Sequence, residues 1–268
     1  MCTLVVAARV IPGFPLVVVA NRDEQRDRAS SPPLAWPGTP SFIAPRDDVA
    51  GGTWLGLNEA GVFVAITNRF LGPRDASRTS RGALVVEALR KTSARAIHES
   101  MGALDPGQYN GFHLVYADGR DVLATISDGA ELAQLSLGDG VAIVTERSFG
   151  AGNRGDDDKR RVDKIRTGWT KLTTPPRSGA PFDPTSATTL LADHDPTDPL
   201  AATCIHLDEL RYGTRSSLVL SIREPLGSAS EAPLSRARML WAEGPPCMTP
   251  FVDVDLATMT SAGAFKSG

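Results

Sequence analysis

Two β-rich runs, Thr3–Val10 and Pro15–Ala20, open the chain, and only Ile11-Pro12-Gly13-Phe14 separates them. A short connection carrying both strong chain breakers predicts a hairpin. In a tight hairpin the start of one strand faces the end of its partner. The residue before the first run is Cys2, and the residues after the second are Asn21-Arg22-Asp23-Glu24. Register therefore brings a near-terminal cysteine against a polar tetrad. Met1 is normally removed when a small residue such as cysteine follows. Its removal would give Cys2 both a thiol and a free α-amine, the pair used by an N-terminal nucleophile in place of a Ser–His couple. A buried cysteine opening a core strand is the bland alternative.

The tetrad suits such a thiol. Arg22 beside it would favour thiolate, lowering its pKa by roughly one to three units in close contact. An acid, Asp23 or Glu24, would hold and orient the α-ammonium. Strand alternation places Arg22 and Glu24 on one face and Asn21 and Asp23 on the other, so both acids stay open at this point. Downstream, Ala50-Gly51-Gly52-Thr53-Trp54-Leu55-Gly56 puts glycines where a strand begins, a sign of close backbone approach or a bulge. Runs Thr53–Asn58 and Gly61–Asn68 form a second hairpin turning at Glu59-Ala60-Gly61. Asn68 at its end can donate to an oxyanion, or simply close the strand as a turn residue.

Taken together, Cys2, Ala20-Asn21-Arg22-Asp23-Glu24, Ala50–Gly56 and Thr67-Asn68-Arg69 resemble the NRDE family, also called the Transport and Golgi organisation 2 family. Tyr109-Asn110-Gly111-Phe112 and Tyr212-Gly213-Thr214-Arg215-Ser216-Ser217 agree with it. That family is similar in turn to cysteine N-terminal nucleophile hydrolases, which include bile-salt hydrolases, penicillin V acylases and acid ceramidase. The resemblance implies an α+β fold, a four-layer αββα sandwich of antiparallel sheets. It also implies roles: Cys2 as nucleophile, Arg22 and Asp23 as supports for thiol and amine, Asn68 as oxyanion donor, and Arg215 as a late arginine near the site. The sequence departs from the family pattern after Val141–Thr145, where an asparagine is usual. Thr145-Glu146-Arg147 stands there, with Asn153 further on. Animal relatives are linked to haem mobilisation and lipid metabolism. The resemblance thus supports a hydrolase of amide or ester-like acyl bonds in a small molecule, or, on the same fold, a binder of a hydrophobic ligand such as haem or an acyl lipid.

Composition narrows the partners. With 28 basic and 31 acidic residues and no basic block, nucleic acid and anionic membrane are not expected. No run approaches the roughly eighteen apolar residues of a membrane span. Three separated cysteines do not make a disulfide framework, and the opening apolar run lacks basic residues before it. Both point to the cytoplasm. The 268 residues show no repeat and no linker between separate cores, so one domain, 1–268, is expected.

Beyond the hairpins, helices are expected over Ala83–Arg90, capped by Ser80, and over Ala94–Met101, capped by Ser93. A long helix opens at Asp156-Asp157-Asp158 and a short one lies near Ser186–Ala192. Strands are expected at Phe112–Tyr116, Val122–Ile126, Val141–Thr145, Ala202–Leu207, Ser216–Ile222, Arg238–Trp241 and Phe251–Val254. Asn21–Asp48, rich in Pro, Ser, Arg and Asp, reads as a long surface excursion. Within it Ser30–Arg46, together with Pro73–Thr79, would shape an acyl pocket. Gly150-Ala151-Gly152-Asn153-Arg154-Gly155 matches a dinucleotide fingerprint, but three aspartates occupy the place of the pyrophosphate. Cys204, His206 and Asp208 fall on one strand face without a second ligand cluster, and Asp193, His194, Asp195 and Asp198 read as a solvated loop. Cys247 is expected to pack. No haem-attachment motif occurs, and neither cofactor nor metal is expected.

Overall fold

The opening hairpin forms with the anticipated register: Cys2 pairs with Arg22, Thr3 with Asn21, and the ladder continues to Ala8 and Leu16. Gly13 in the turn has φ 80°, a conformation that only glycine adopts without strain. The protein is represented by a computed structural model that describes residues 2–69, 71–150, 155–174, 182–226 and 231–257.

The strands are, in chain order, β1 (Cys2–Ile11), β2 (Phe14–Gln25), β3 (Ser30–Trp36), β4 (Phe42–Asp47), β5 (Leu55–Asn58), β6 (Phe63–Asn68) and β7 (Phe112–Ala117). They continue with β8 (Val122–Ser127), β9 (Leu132–Ser136), β10 (Gly140–Val144), β11 (His206–Leu207), β12 (Tyr212–Ile222), β13 (Ala237–Ala242) and β14 (Val252–Asp253). Four α-helices accompany them: α1 (Gly82–Ala88), α2 (Ala94–Met101), α3 (Asp156–Thr173) and α4 (Thr188–Leu191). One sheet runs β10-β1-β2-β12-β13-β14, with β11 also paired to β12; the other runs β3 through β9 in order. The strand pairs are antiparallel.

Period-two alternation in buried strands builds three cores from two sheets. Leu4, Val6, Leu16 and Val18 point between the sheets, against Leu57, Phe63 and Val115. Val5, Val17 and Val19 point the other way, against Ile165 and Trp169 of α3 and Leu190 and Leu191 of α4. The second sheet likewise packs Phe42, Val64 and Leu114 on Leu84 and Val85 of α1 and Ile97 and Met101 of α2. The layer order is therefore αββα, as the resemblance implied.

Several local expectations change. Asn21–Asp48 is mostly strand: β2 runs on to Gln25, and β3 and β4 follow. Pro32 and Pro33, which argued for loop, sit in the edge strand β3 at a register shift between Ser31 and Leu34, where a missing donor costs no ladder bond. Ser30–Arg46 is thus the edge strand β3, its connection and most of the inner strand β4 rather than a pocket loop. Ser80 does not cap α1, whose N-cap is Arg81 without a side-chain bond, whereas Ser93 accepts from the Ala96 N–H at 3.1 Å as expected. Of Ala202–Leu207 only His206–Leu207 is strand, and the structure adds β9, whose largely exposed Leu-Ala-Gln-Leu-Ser carries no β-branched or aromatic residue to mark it.

Asn21 locks this arrangement. Its amide donates to the carbonyls of Leu191 and Thr203 at 3.0 and 2.7 Å, and its oxygen accepts from Ser217 at 2.6 Å. Asn21→Ala leaves buried carbonyls without donors and should cost about 2–4 kcal/mol of unfolding free energy in urea titration; a loss below about 0.5 kcal/mol would contradict this role.

Candidate functional site

The Cys2–Arg22 pairing places both side chains on the face of the first sheet that looks toward the second. Arg22 is 6% exposed, and its guanidinium stacks over the Trp54 ring at 4.1 Å. Glu24 and Asp47 each lie 3.9 Å from it, and Asp47 also binds Arg28 at 2.8 Å. Burial lowers the Arg22 pKa while the two acids work to restore it. Trp54 is held there by the glycine string. A Cβ on Gly52 would meet the Gly82 backbone at 2.6 Å, and one on Gly56 would meet Leu89 at 2.7 Å. The glycines let this segment lie directly against α1.

Burial pushes the Cys2 thiol up, and the Asp23 charge adds to it; the charge of the terminal ammonium, a backbone hydrogen bond from Asp23 and the Arg22 charge oppose it without prevailing. The shift runs opposite to the one expected from Arg22 alone, because desolvation outweighs a guanidinium already engaged with Trp54, Glu24 and Asp47. Asp23 is 4% exposed and burial lifts its carboxyl to about 6, against a hydrogen bond of 2.7 Å donated by Thr214. Its second oxygen, Oδ2, has no hydrogen-bond partner among the described residues. Glu24 is partly exposed and faces Arg22 and Arg28. Of the two acids, Asp23 is the buried one beside Cys2.

A cavity of about 260 Å³ opens over these groups, lined by Cys2, Arg22, Asp23, Asn68, Arg74 and Arg81 among others. Asn68 is exposed at the end of β6 and also lines a neighbouring cavity of about 350 Å³, as do Arg74, Arg81 and Glu146. Arg215 is placed differently. It occupies the irregularity between Thr214 and Ser216 in β12, and its guanidinium reaches the Arg28 carbonyl at 3.4 Å, outside the cavity wall.

Arg81 and His113 carry no signal of their own in the sequence, and Glu146 stands out there only as a departure from the family pattern. Arg81 donates to the Gly111 carbonyl at 2.8 Å, and burial, followed by the charge of Arg74, lowers its pKa to about 10. His113 is buried between the Thr67 hydroxyl and the Ser148 carbonyl, both at 3.0 Å. A lone histidine in an apolar strand reads as core. Glu146, at the departure from the family pattern, is buried 3.6 Å from Arg161, which also pairs with Asp158 at 3.9 Å. Asp158 therefore belongs to a buried ion cluster rather than to a repulsive helix cap. Asn153 and most of the Gly150–Gly155 motif lie outside the described residues.

The raised Asp23 pKa has a stability consequence. Between its ordinary value of 3.8 and about 6, the folded state keeps a proton that the unfolded chain releases. The associated stability is full below pH 4 and falls as pH rises through 6, by about 2–3 kcal/mol. Asp23→Asn keeps the acceptor for Thr214 and should remove that decline. Urea unfolding of both proteins at pH 4 and pH 7.5 checks it, and parallel pH profiles would refute it.

The chain matches the profile of the family described as Transport and Golgi organisation 2 over residues 1–227. It is similar to the Transport and Golgi organization protein 2 homolog of Homo sapiens, 31% identical over 108 residues, and to that of Mus musculus, 32% identical over 109 residues. Each match covers 39% of this chain and 39% of the relative's length. Among solved structures, a variant of conjugated bile acid hydrolase from Clostridium perfringens superposes with TM-score 0.58 at 12% identity, covering 97% of this chain and 94% of that one. The Caenorhabditis elegans ortholog of N-acylethanolamine-hydrolyzing acid amidase gives TM-score 0.51 at 10% identity over 88% of this chain and 98% of its own. The αββα fold is thus shared with these two hydrolases. The chain belongs to the Transport and Golgi organisation 2 family.

Proposed function

We propose that this protein is a hydrolase in which Cys2, once Met1 is removed, attacks the acyl carbon of an amide or ester-like bond in a small molecule. The observation that carries this reading is the direct pairing of Cys2 with Arg22 on a cavity wall that also holds Asp23 and Asn68. The shared fold with a conjugated bile acid hydrolase and an N-acylethanolamine-hydrolyzing amidase supports it.

A buried thiol with a raised pKa rests protonated, so it needs a base at the moment of attack. The α-amine of Cys2, with an ordinary pKa of about 7.7–8.0, is suited to that task. It takes the thiol proton as sulfur bonds to the acyl carbon, and the carbonyl π electrons move onto oxygen. Asn68 and a backbone N–H stabilise the resulting oxyanion. Collapse breaks the bond to the leaving nitrogen or oxygen, which receives the proton from the α-ammonium. Water then attacks the thioester, giving its proton to the amine, and the acid departs as the thiol reforms. Asp23 holds the α-ammonium during the charged steps. Glu146, a carboxylate engaged by Arg161, supplies no donor, so the oxyanion relies on Asn68.

Arg74 and Arg81 on the shared wall of the two cavities favour a substrate with an anionic group.

Intact mass should show Met1 absent from active protein. Cys2→Ala should lower turnover by about 10³-fold or more, and Asn68→Ala should lower kcat by about 10²–10³-fold. Full turnover by Cys2→Ala overturns the proposal. Separately, Arg81→Ala should raise KM for a carboxylate-bearing substrate about tenfold while changing that of a neutral analogue little.

A further inference from the structure

Behind the Asp23 side of the site, Cys204 and His206 meet a third donor, Cys247, that the sequence keeps far from both. Cys204 Sγ lies 3.3 Å from Cys247 Sγ, and His206 Nε2 lies 3.5 Å from the first sulfur and 3.2 Å from the second. Asp208, which the sequence groups with Cys204 and His206, is not part of this set. It begins a turn after the two-residue β11, and its carboxylate pairs with Arg26 instead. Cys247 takes its place, and it is exposed rather than packed.

We propose that Cys204, His206 and Cys247 form a binding site for a thiolate-preferring divalent cation of the zinc class. Bonds of about 2.3 Å to sulfur and about 2.0–2.1 Å to nitrogen set tetrahedral donors roughly 3.5–3.8 Å apart. The observed triangle reaches that geometry with shifts of a few tenths of an ångström. Two sulfurs and an imidazole are a borderline-soft set that selects zinc over magnesium or calcium. A disulfide between the same cysteines would use neither the imidazole nor its near-equal approach to both sulfurs. Binding releases the two thiol protons to solvent as the sulfurs become ligands.

The backbone supports each donor separately. The Cys204 N–H donates to the Asp193 carbonyl at 2.8 Å, and β11 pairs His206 with Gly213 of β12. The turn carrying Cys247 closes through the Pro245 carbonyl, which accepts from Met248 and Thr249 at 3.0 and 2.8 Å. His194 packs against the His206 ring, centroids 4.3 Å apart. The donors grade from buried Cys204 through half-buried His206 to exposed Cys247, which gives the ion a path in and leaves a fourth position to water.

The site touches the cavity chemistry through one residue. Thr214 Oγ1 accepts from the Ile205 N–H at 2.8 Å and donates to Asp23 at 2.7 Å. An ion fixing residues 204–206 therefore fixes the partner of Asp23, making this a positioning element rather than a catalytic one.

The test is titration of the reduced, full-length protein with cobalt(II), read by sulfur-to-cobalt charge-transfer absorption, followed by competition with zinc. One equivalent should bind to the wild type, to Cys2→Ala and to Asp208→Ala, and zinc should displace it. Cys247→Ser and His206→Ala should each weaken binding by about 10²-fold or more, with circular dichroism confirming that both remain folded. Because Cys247 is exposed, its serine variant keeps the test clear of folding failure. The proposal is overturned by absence of charge-transfer absorption, by equal affinity in all variants, or by a reduced protein that binds no metal and merely loses two hydrogens between Cys204 and Cys247 on mild oxidation.

Discussion

The pairing of β2 with β1 on one side and β12 on the other is the constraint on which the rest depends. All of β2 from Leu16 to Asp23 is buried, so its side chains serve two cores at once. A one-residue slip would exchange Val18 with Val19 and send Arg22 to the helical side, away from Trp54. The hydrophobic demand of both faces therefore fixes the position of Cys2 relative to Arg22. The Cys2–Arg22 register is a by-product of core packing, and the hydrogen bonds of Asn21 reinforce it.

That economy leaves charges in places where water is scarce. Arg161 and Asp158 are fully buried, and Glu146 nearly so. Together they carry one positive and two negative charges when ionised, close enough to Asp23 for Arg161 to favour its ionised form and Glu146 to oppose it. Burying such a cluster without loss of stability requires that its members satisfy one another. Glu146 couples the segment that follows β10 to α3 through Arg161.

What was legible in the sequence was what local rules determine. The hairpin turned on Pro12 and Gly13, and Ser93 announced α2, whereas the continuous apolar run Leu4–Ala8 marked a buried strand without showing which side chains serve which core. The Cys2–Arg22 juxtaposition followed from hairpin geometry alone. What escaped depended on contacts between distant segments. Nothing near Arg81 signals that it will end beside Cys2, since α1 is brought there by the Gly52–Gly82 approach. Pro32 and Pro33 misled because a breaker in a central strand is tolerated at an edge, and edge position is a property of the finished sheet. Cys247 is 41 residues from His206; β12 and β13 have to pair before its turn can return to β11. Arg215 shows the reverse case, a residue whose motif points to the site while a strand irregularity turns its guanidinium toward Arg28.

The electrostatics of the cavity have a single cause. Burial raises Cys2 and Asp23 and lowers Arg22 and Arg81, so each group is displaced toward its neutral form. Acids and bases move in opposite directions, which a neighbouring charge alone could not produce, because one sign of charge shifts every pKa the same way. Loss of water is the cause common to all four. The cost of holding charge here is therefore already incurred by the folded chain, and a bound anion lowers it for Arg22 and Arg81 at once. Burial at the same time opposes negative charge on Cys2 and Asp23, so the demand for an anion is confined to the arginine side of the cavity, while the acidic side holds a proton whose stabilising effect Asp23 forfeits above pH 6.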